Sequence, residues 1–172
     1  MRAIVAIVLI AATWALVTGA PTAPRSRGFV PSKEEECAGK DLVLRNGTYY
    51  QFFNCVKTWD EAQAICQNKM VARGQRVLGG HLISILDKDE TEFIKSELDS
   101  RFGADVGFWI GLRFPANTTS TWSDNSEFKY KNFRWDDGLC FYLIDNARWT
   151  DVDCNARMRF ICKAVQPIPT KS

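Results

Sequence analysis

Phe108-Trp109-Ile110-Gly111-Leu112 is the most apolar run in the chain outside its N-terminus. Phe, Trp and Ile favour strands, and a following glycine lets another backbone approach closely. Periodicity alone leaves a short buried helix as the weaker alternative. Context sharpens the reading. Two amphipathic helical segments lie upstream; downstream come a turn-rich polar stretch and two cysteines flanking Trp149-Thr150-Asp151. The run is expected to be the central strand of a small α+β domain, with helices before it and a long loop after it.

Upstream, Tyr49-Tyr50-Gln51-Phe52-Phe53 is short and aromatic, the pattern of a strand. Thr58-Trp59-Asp60-Glu61 has the form of a capping box, in which hydroxyl and carboxylate satisfy free backbone donors at a helix start. Trp59, Ala62, Ile65 and Cys66 then fall on one helical face, so Cys66 points inward, where it can anchor a disulfide. A polar, basic stretch, Gln67 to Arg76, follows. Lys69, Arg73 and Arg76 read as a solvated loop, with an acidic-glycan contact as the alternative. Gly79 to Ile85 reads as an apolar strand after a glycine turn. A second helix is expected from about Asp87, with Phe93, Ile94, Glu97 and Leu98 keeping its period and acidic residues at its N-terminal end. His81 is the only histidine, and between a glycine turn and an apolar strand it reads as structural.

Downstream, roughly Arg113 to Asn146 is turn-rich and polar before the chain closes on strands at Leu139 to Ile144, Arg148 to Asp151 and Met158 to Lys163. So long a connection inside a compact domain is usually functional. Trp109, Trp122 and Trp149 are assigned to the core.

With 172 residues, six Trp and eleven Phe, the chain can bury a real core. Its net charge of +2 sets up no field that would draw it to nucleic acid. Met1-Arg2, the apolar run Ala3 to Val17 and the small residues after it form the pattern of a secretory signal peptide. The run is short of the ~20 residues a transmembrane anchor needs. The expected organisation is a signal peptide at 1–20, a Pro/Arg/Ser linker at 21–36, one folded domain at 37–163 and a loose tail at 164–172. Secretion suits six cysteines and a disulfide framework. It also suits N-glycosylation at Asn46 and Asn117, which open Asn-Gly-Thr and Asn-Thr-Thr acceptor patterns.

The order of Cys66, Gly80-His81-Leu82-Ile83-Ser84-Ile85, Trp109-Ile110-Gly111-Leu112, Trp122-Ser123-Asp124, Cys140, Trp149-Thr150-Asp151, Cys154 and Phe160-Ile161-Cys162 resembles that of C-type lectin-like domains. The resemblance covers about residues 37–163. It implies a double-loop fold in which the N- and C-terminal strands pair, two helices flank the sheet, and a long loop carries the binding surface. It further implies the bridges Cys66–Cys162 and Cys140–Cys154, with Cys37–Cys55 as the N-terminal bridge of the family's long form. No cysteine then remains for a covalent dimer.

Sugar-binding members of that family hold calcium with a Glu-Pro-Asn or Gln-Pro-Asp triplet, a further Glu, and the Asn-Asp of a Trp-Asn-Asp motif. This chain has no such triplet. Trp135, Asp136 and Asp137 stand in its place, Thr150 replaces the motif's Asn, and Asp151 alone carries over. Calcium needs several converging oxygens. Asp151 with Asp137 is the metal pair the pattern points to, Asp136 and Asp145 being able to help in a rearranged loop. Ordinary turn aspartates are the competing reading, and the ligand number favours it. Trp135 fits a sugar-stacking or interface role, or a plug beneath a shortened loop. No metalloprotease, nucleophile-elbow or phosphate-loop motif occurs, so no enzyme is expected. The expected function is a secreted recognition module that binds carbohydrate through Trp135, Asp136, Asp137, Thr150 and Asp151, with a non-standard or absent calcium site. The alternative is a calcium-independent module whose ligand is an extracellular protein, with Arg134 and Trp135 as anchors.

Overall fold

The central run forms β6, Phe108–Arg113, buried on both faces along almost its whole length. Its alternation feeds two separate cores: Phe108, Ile110 and Leu112 enter one, Trp109 the other. A strand covered from both sides has no solvent face to mark with polar residues, which is why it reads as continuously apolar. The computed structural model describes residues 37, 39, 42–72, 75–76, 79–103, 106–114, 121–134 and 137–165. All lie in one unit of the chain, Glu34–Ser172. The expected signal peptide and linker, positions 166–172 of the tail, and Arg73, Asn117, Trp135 and Asp136 lie outside the described residues.

The other strands assemble around β6. β1 (Val43–Arg45) and β2 (Thr48–Lys57) form an antiparallel hairpin. Its turn residues, Asn46 and Gly47, have φ of 49° and 75°. Asn-Gly tolerates left-handed backbone at both positions, the conformation that matches the twist of a two-residue hairpin. β10 (Met158–Val165) runs antiparallel to β2 and parallel to β6, so the first and last long strands pair. β8 (Cys140–Leu143) and β9 (Trp149–Val152) complete the order β1-β2-β10-β6-β8-β9. Two short strands attach at the sides, β5 (His81–Leu82) to β10 and β7 (Thr121–Trp122) to β6.

Three details differ from the expectations above. β10 continues through Ala164 and Val165, which pair with Tyr49 and Thr48, so the final strand outruns its expected end at Lys163. A small hairpin, β3 (Val71–Ala72) with β4 (Gln75–Arg76), occupies the polar stretch read as a loop. The strand expected over 79–85 pairs only at His81–Leu82. Beyond it Ile83 still donates to Ile161 O (2.9 Å) and accepts from Gly111 N (2.8 Å), so its backbone is satisfied without a regular ladder.

The helices cover opposite faces. α1 (Trp59–Lys69) starts at a complete capping box between Thr58 and Glu61 and places Trp59, Ala62 and Cys66 in the core that holds Trp109. α2 (Lys88–Phe102) is capped by Asp87, whose carboxylate accepts from Glu90 N at 2.7 Å. It places Ile94 and Leu98 in the other core. Cys66–Cys162 ties α1 to β10, Cys140–Cys154 joins β8 to the turn after β9, and Cys37–Cys55 secures the N-terminal segment to β2. All six cysteines are thus bridged within the chain.

A buried polar knot fastens α2 to the paired terminal strands. Glu90 accepts from Tyr50 Oη (2.8 Å), Leu86 N (2.9 Å) and Lys163 Nζ (2.7 Å), and Lys163 also donates to Ser84 O (2.9 Å). The Lys163 and Glu90 side chains are 10% and 8% exposed. Removing one partner strands the other charge in a poorly hydrated site, so Lys163→Met should cost about 3–5 kcal/mol in urea unfolding. Burial pushes the Tyr50 phenol well above the usual tyrosine range, and the Glu90 carboxylate pushes it further. Above about pH 10 the unfolded chain gives up this proton while the native protein keeps it, so stability falls as pH rises. Tyr50→Phe should remove that share of the alkaline loss, seen as a shallower fall in unfolding free energy than wild type above about pH 10.

Candidate functional site

The long loop is a wall rather than a free arm over its described part, 121–134 and 137–139. Trp122, Phe128, Tyr130 and Phe133 pack edge-on or tilted against one another, against Phe114 just past β6, and against Phe141 and Trp149 of the sheet. Centroid separations include 4.6 Å for Phe114–Phe141 and 5.3 Å for both Trp122–Trp149 and Phe133–Trp149. Pairs at these distances prefer such geometries because ring edges and faces carry opposite charge. Backbone bonds complete the attachment: Trp149 N donates to Asn132 O (2.9 Å) and Arg134 N to Trp149 O (2.6 Å). Asn132 Nδ2 also donates to Ala147 O at 2.9 Å.

This wall ends at a groove. At its edge, Arg113 leaves β6 to pair with Asp60 at 3.0 Å, with its guanidinium 5.1 Å over the Trp59 ring. Asp60 occupies the first turn of α1, which is docked by Trp59 N to Cys154 O (3.0 Å) and Trp59 Nε1 to Ile110 O (2.9 Å). The Cys140–Cys154 bridge and Gly138-Leu139 lie beside it. Together with Asp151 to Asn155 these residues enclose an open groove of about 540 Å³. Leu139 is 49% exposed there. Asp153 Oδ1 accepts from Asn155 N (2.8 Å) and Nδ2 (3.1 Å), fixing the turn after β9.

The expected site residues divide. Asp151 lines the groove, half-buried against Gly138, where a Cβ would run into the Asp151 side chain. Thr150 is 7% exposed. In the β8–β9 register Thr150 lies opposite Tyr142 and Asp151 opposite Phe141. Asp137 is exposed beside the groove; Trp135 and Asp136 lie outside the described residues. Calcium requires roughly six to eight oxygens. Among the described residues no three His, Cys, Asp or Glu side chains converge, and a threonine stands where the family's motif has an asparagine. The described donor set falls short of the family's calcium cage.

Asp60, Arg113, Leu139, Asp153 and Asn155 carry no functional signal in the sequence that singles them out. Asp153 and Asn155 stand in the turn after β9, beyond the reach of any strand period. Asp60 reads only as part of a helix cap, and its approach to Arg113 spans 53 positions of chain.

His81 is held structurally. Its Nδ1 lies 2.9 Å from Gln63 Nε2, while Gln63 Oε1 accepts from Leu82 N at 2.8 Å. A backbone N–H can be met only by the amide oxygen, so the Gln63 NH₂ donates to the imidazole.

The Lectin C-type domain model matches residues 56–164, and the chain belongs to that family. C-type lectin lectoxin-Lio1 of Erythrolamprus poecilogyrus is 34% identical over 131 residues, covering 69% of this chain and 75% of its own. A snaclec coagulation factor IX/factor X-binding protein of Gloydius halys is 32% identical over 128 residues, covering 69% and 78%. Among solved structures, human lithostathine superposes with a TM-score of 0.63 at 27% identity, covering 75% of this chain and 100% of that one. Among the described residues no helix is long and apolar enough to cross a membrane.

Gly138 tests the loop–strand contact. Gly138→Ala places a methyl against Asp151 Cβ, which cannot swing aside as a carboxylate tip can. The loop must move off β9, at about 1–3 kcal/mol. Urea unfolding should show that loss, together with amide shifts at Leu139 and Asp151 in two-dimensional NMR.

Proposed function

We propose that this protein is a secreted, non-catalytic recognition module that binds an extracellular protein, independently of calcium, through the groove between the start of α1 and the β8–β9 edge. The observation that supports this reading is the donor set: no three metal-ligating side chains converge among the described residues, and Thr150 stands where the family's motif has an asparagine. A sugar held through calcium needs several oxygens converging on one ion, whereas a protein ligand needs only a shaped, rigid surface with an apolar anchor point. The aromatic wall supplies rigidity and Leu139 the anchor. A relative named for binding coagulation factors IX and X supports protein recognition as a use of this scaffold. The carbohydrate reading is supported by Asp151, which keeps the position of the motif's aspartate, and by the lectin names of relatives.

Calorimetry of the purified mature protein, with Asp151→Ala alongside, separates the two. No saturable calcium heat is expected up to millimolar concentration, and a glycan array should give no signal that a chelator abolishes. A calcium site lost in Asp151→Ala, accompanied by chelator-sensitive glycan binding, would restore the lectin reading.

Secretion also makes Asn46 an acceptor for N-linked glycan. It is exposed at the tip of the β1–β2 hairpin, on the opposite edge of the sheet from β9, so a glycan there leaves the groove open. Material from a eukaryotic secretory host should lose mass on peptide-N-glycosidase treatment, and Asn46→Gln should reduce the mass lost. Equal glycosidase shifts for wild type and Asn46→Gln would leave Asn46 unmodified.

A further inference from the structure

The groove has a charge as well as a shape. Asp60, Asp151 and Asp153 line it, and Arg113 is the one cation among its lining residues. That cation is already committed, to the Asp60 carboxylate at 3.0 Å and to the Trp59 ring. Asp151 has no hydrogen-bond partner among the described residues, and Asp153 uses only Oδ1, on Asn155. Two carboxylates therefore line the groove with acceptor capacity unspent, together with Leu139 at 49% exposure. The chain as a whole carries +2, so this local negative balance runs against its overall charge.

Resting on the reading of this groove as the recognition site, we infer that its occupant is a basic segment of a protein partner: a Lys or Arg side chain lying in the groove beside an apolar neighbour. The chemistry of a long basic side chain matches both halves of the lining. Its methylene stem covers apolar surface such as Leu139, and its charged head reaches the carboxylates. A guanidinium or ammonium donates several hydrogen bonds and accepts none, which suits acceptors that lack donors. An acidic partner would meet unpaired carboxylates with nothing to neutralise them, because Arg113 is taken. Like-charge juxtaposition of that kind excludes partners as effectively as attraction selects them.

The test is selection of a random twelve-residue peptide library displayed on phage against the immobilised full chain at low ionic strength. The selected peptides are then synthesised and measured on three proteins: wild type, Asp151→Asn/Asp153→Asn, and Leu139→Ser. Asparagine keeps an oxygen for the Asn155 turn, and circular dichroism and thermal melting check that each variant folds. The expected result is enrichment of Lys and Arg over the unselected library. Affinity should fall at least about tenfold in the double variant, also fall in Leu139→Ser, and weaken with added salt as exposed charge pairs are screened. Peptides that bind, lose affinity in Leu139→Ser, yet show no basic enrichment and no loss in the double variant would overturn the charge inference while leaving the groove as the site. Peptides indifferent to both variants, or no enrichment at all, would overturn the groove reading with it.

Discussion

Much of this structure depends on one close approach of backbones at Gly111. Its N–H donates to Ile83 O and its carbonyl accepts from Ser123 N, both at 2.8 Å. A Cβ there would meet Leu82 O and Ser123 Oγ. One residue of β6 thus fastens the segment after β5 on one side and the start of the long loop on the other. Any side chain would push both away. With both held, the sheet is covered on two faces, and the segment before α2 is placed so that Glu90 can reach Tyr50 and Lys163.

From that anchor the long loop acquires its character. A polar connection of this length would ordinarily be free to move. Here its aromatic residues return to the sheet and pack around Trp149, and two backbone bonds hold the 132–134 segment against β9. On the proposed reading, the binding surface is the loop's foot, where the last loop residues meet the start of α1 and the turn after β9. Rigidity at such a place lowers the ordering cost of binding, which is where preformed recognition surfaces gain affinity.

On the proposed reading, a family scaffold changes its ligand chemistry without changing its fold. The capping box and the strand register do not depend on which polar side chain occupies position 150. Replacing an amide by Thr150, buried toward the Trp109 side, removes a metal donor while leaving the β8–β9 register intact, with Tyr142 opposite Thr150 and Phe141 opposite Asp151. On the proposed reading, Asp151 remains as a carboxylate in the groove and meets a cationic side chain of the partner.

The sequence alone carried the local and periodic information. The N-cap of α1 and the start of α2 were legible because capping chemistry is written within four residues. β6 was legible because burial on both faces leaves an unbroken apolar run. The three tryptophans declared themselves as core by size, and the motif order pointed to the family and its bridges. The end of β10 and the β3–β4 hairpin were not legible, since short strands take their stability from partners rather than from their own residues. The groove was still further out of reach. Asp60 and Arg113 meet across 53 positions, and Asp151 comes to rest against Gly138 of the loop. Residue types and their spacing determined what this protein could fold into. Only the tertiary structure decided which carboxylates face one another's space, because that depends on strand pairing and side-chain direction, which no local pattern encodes.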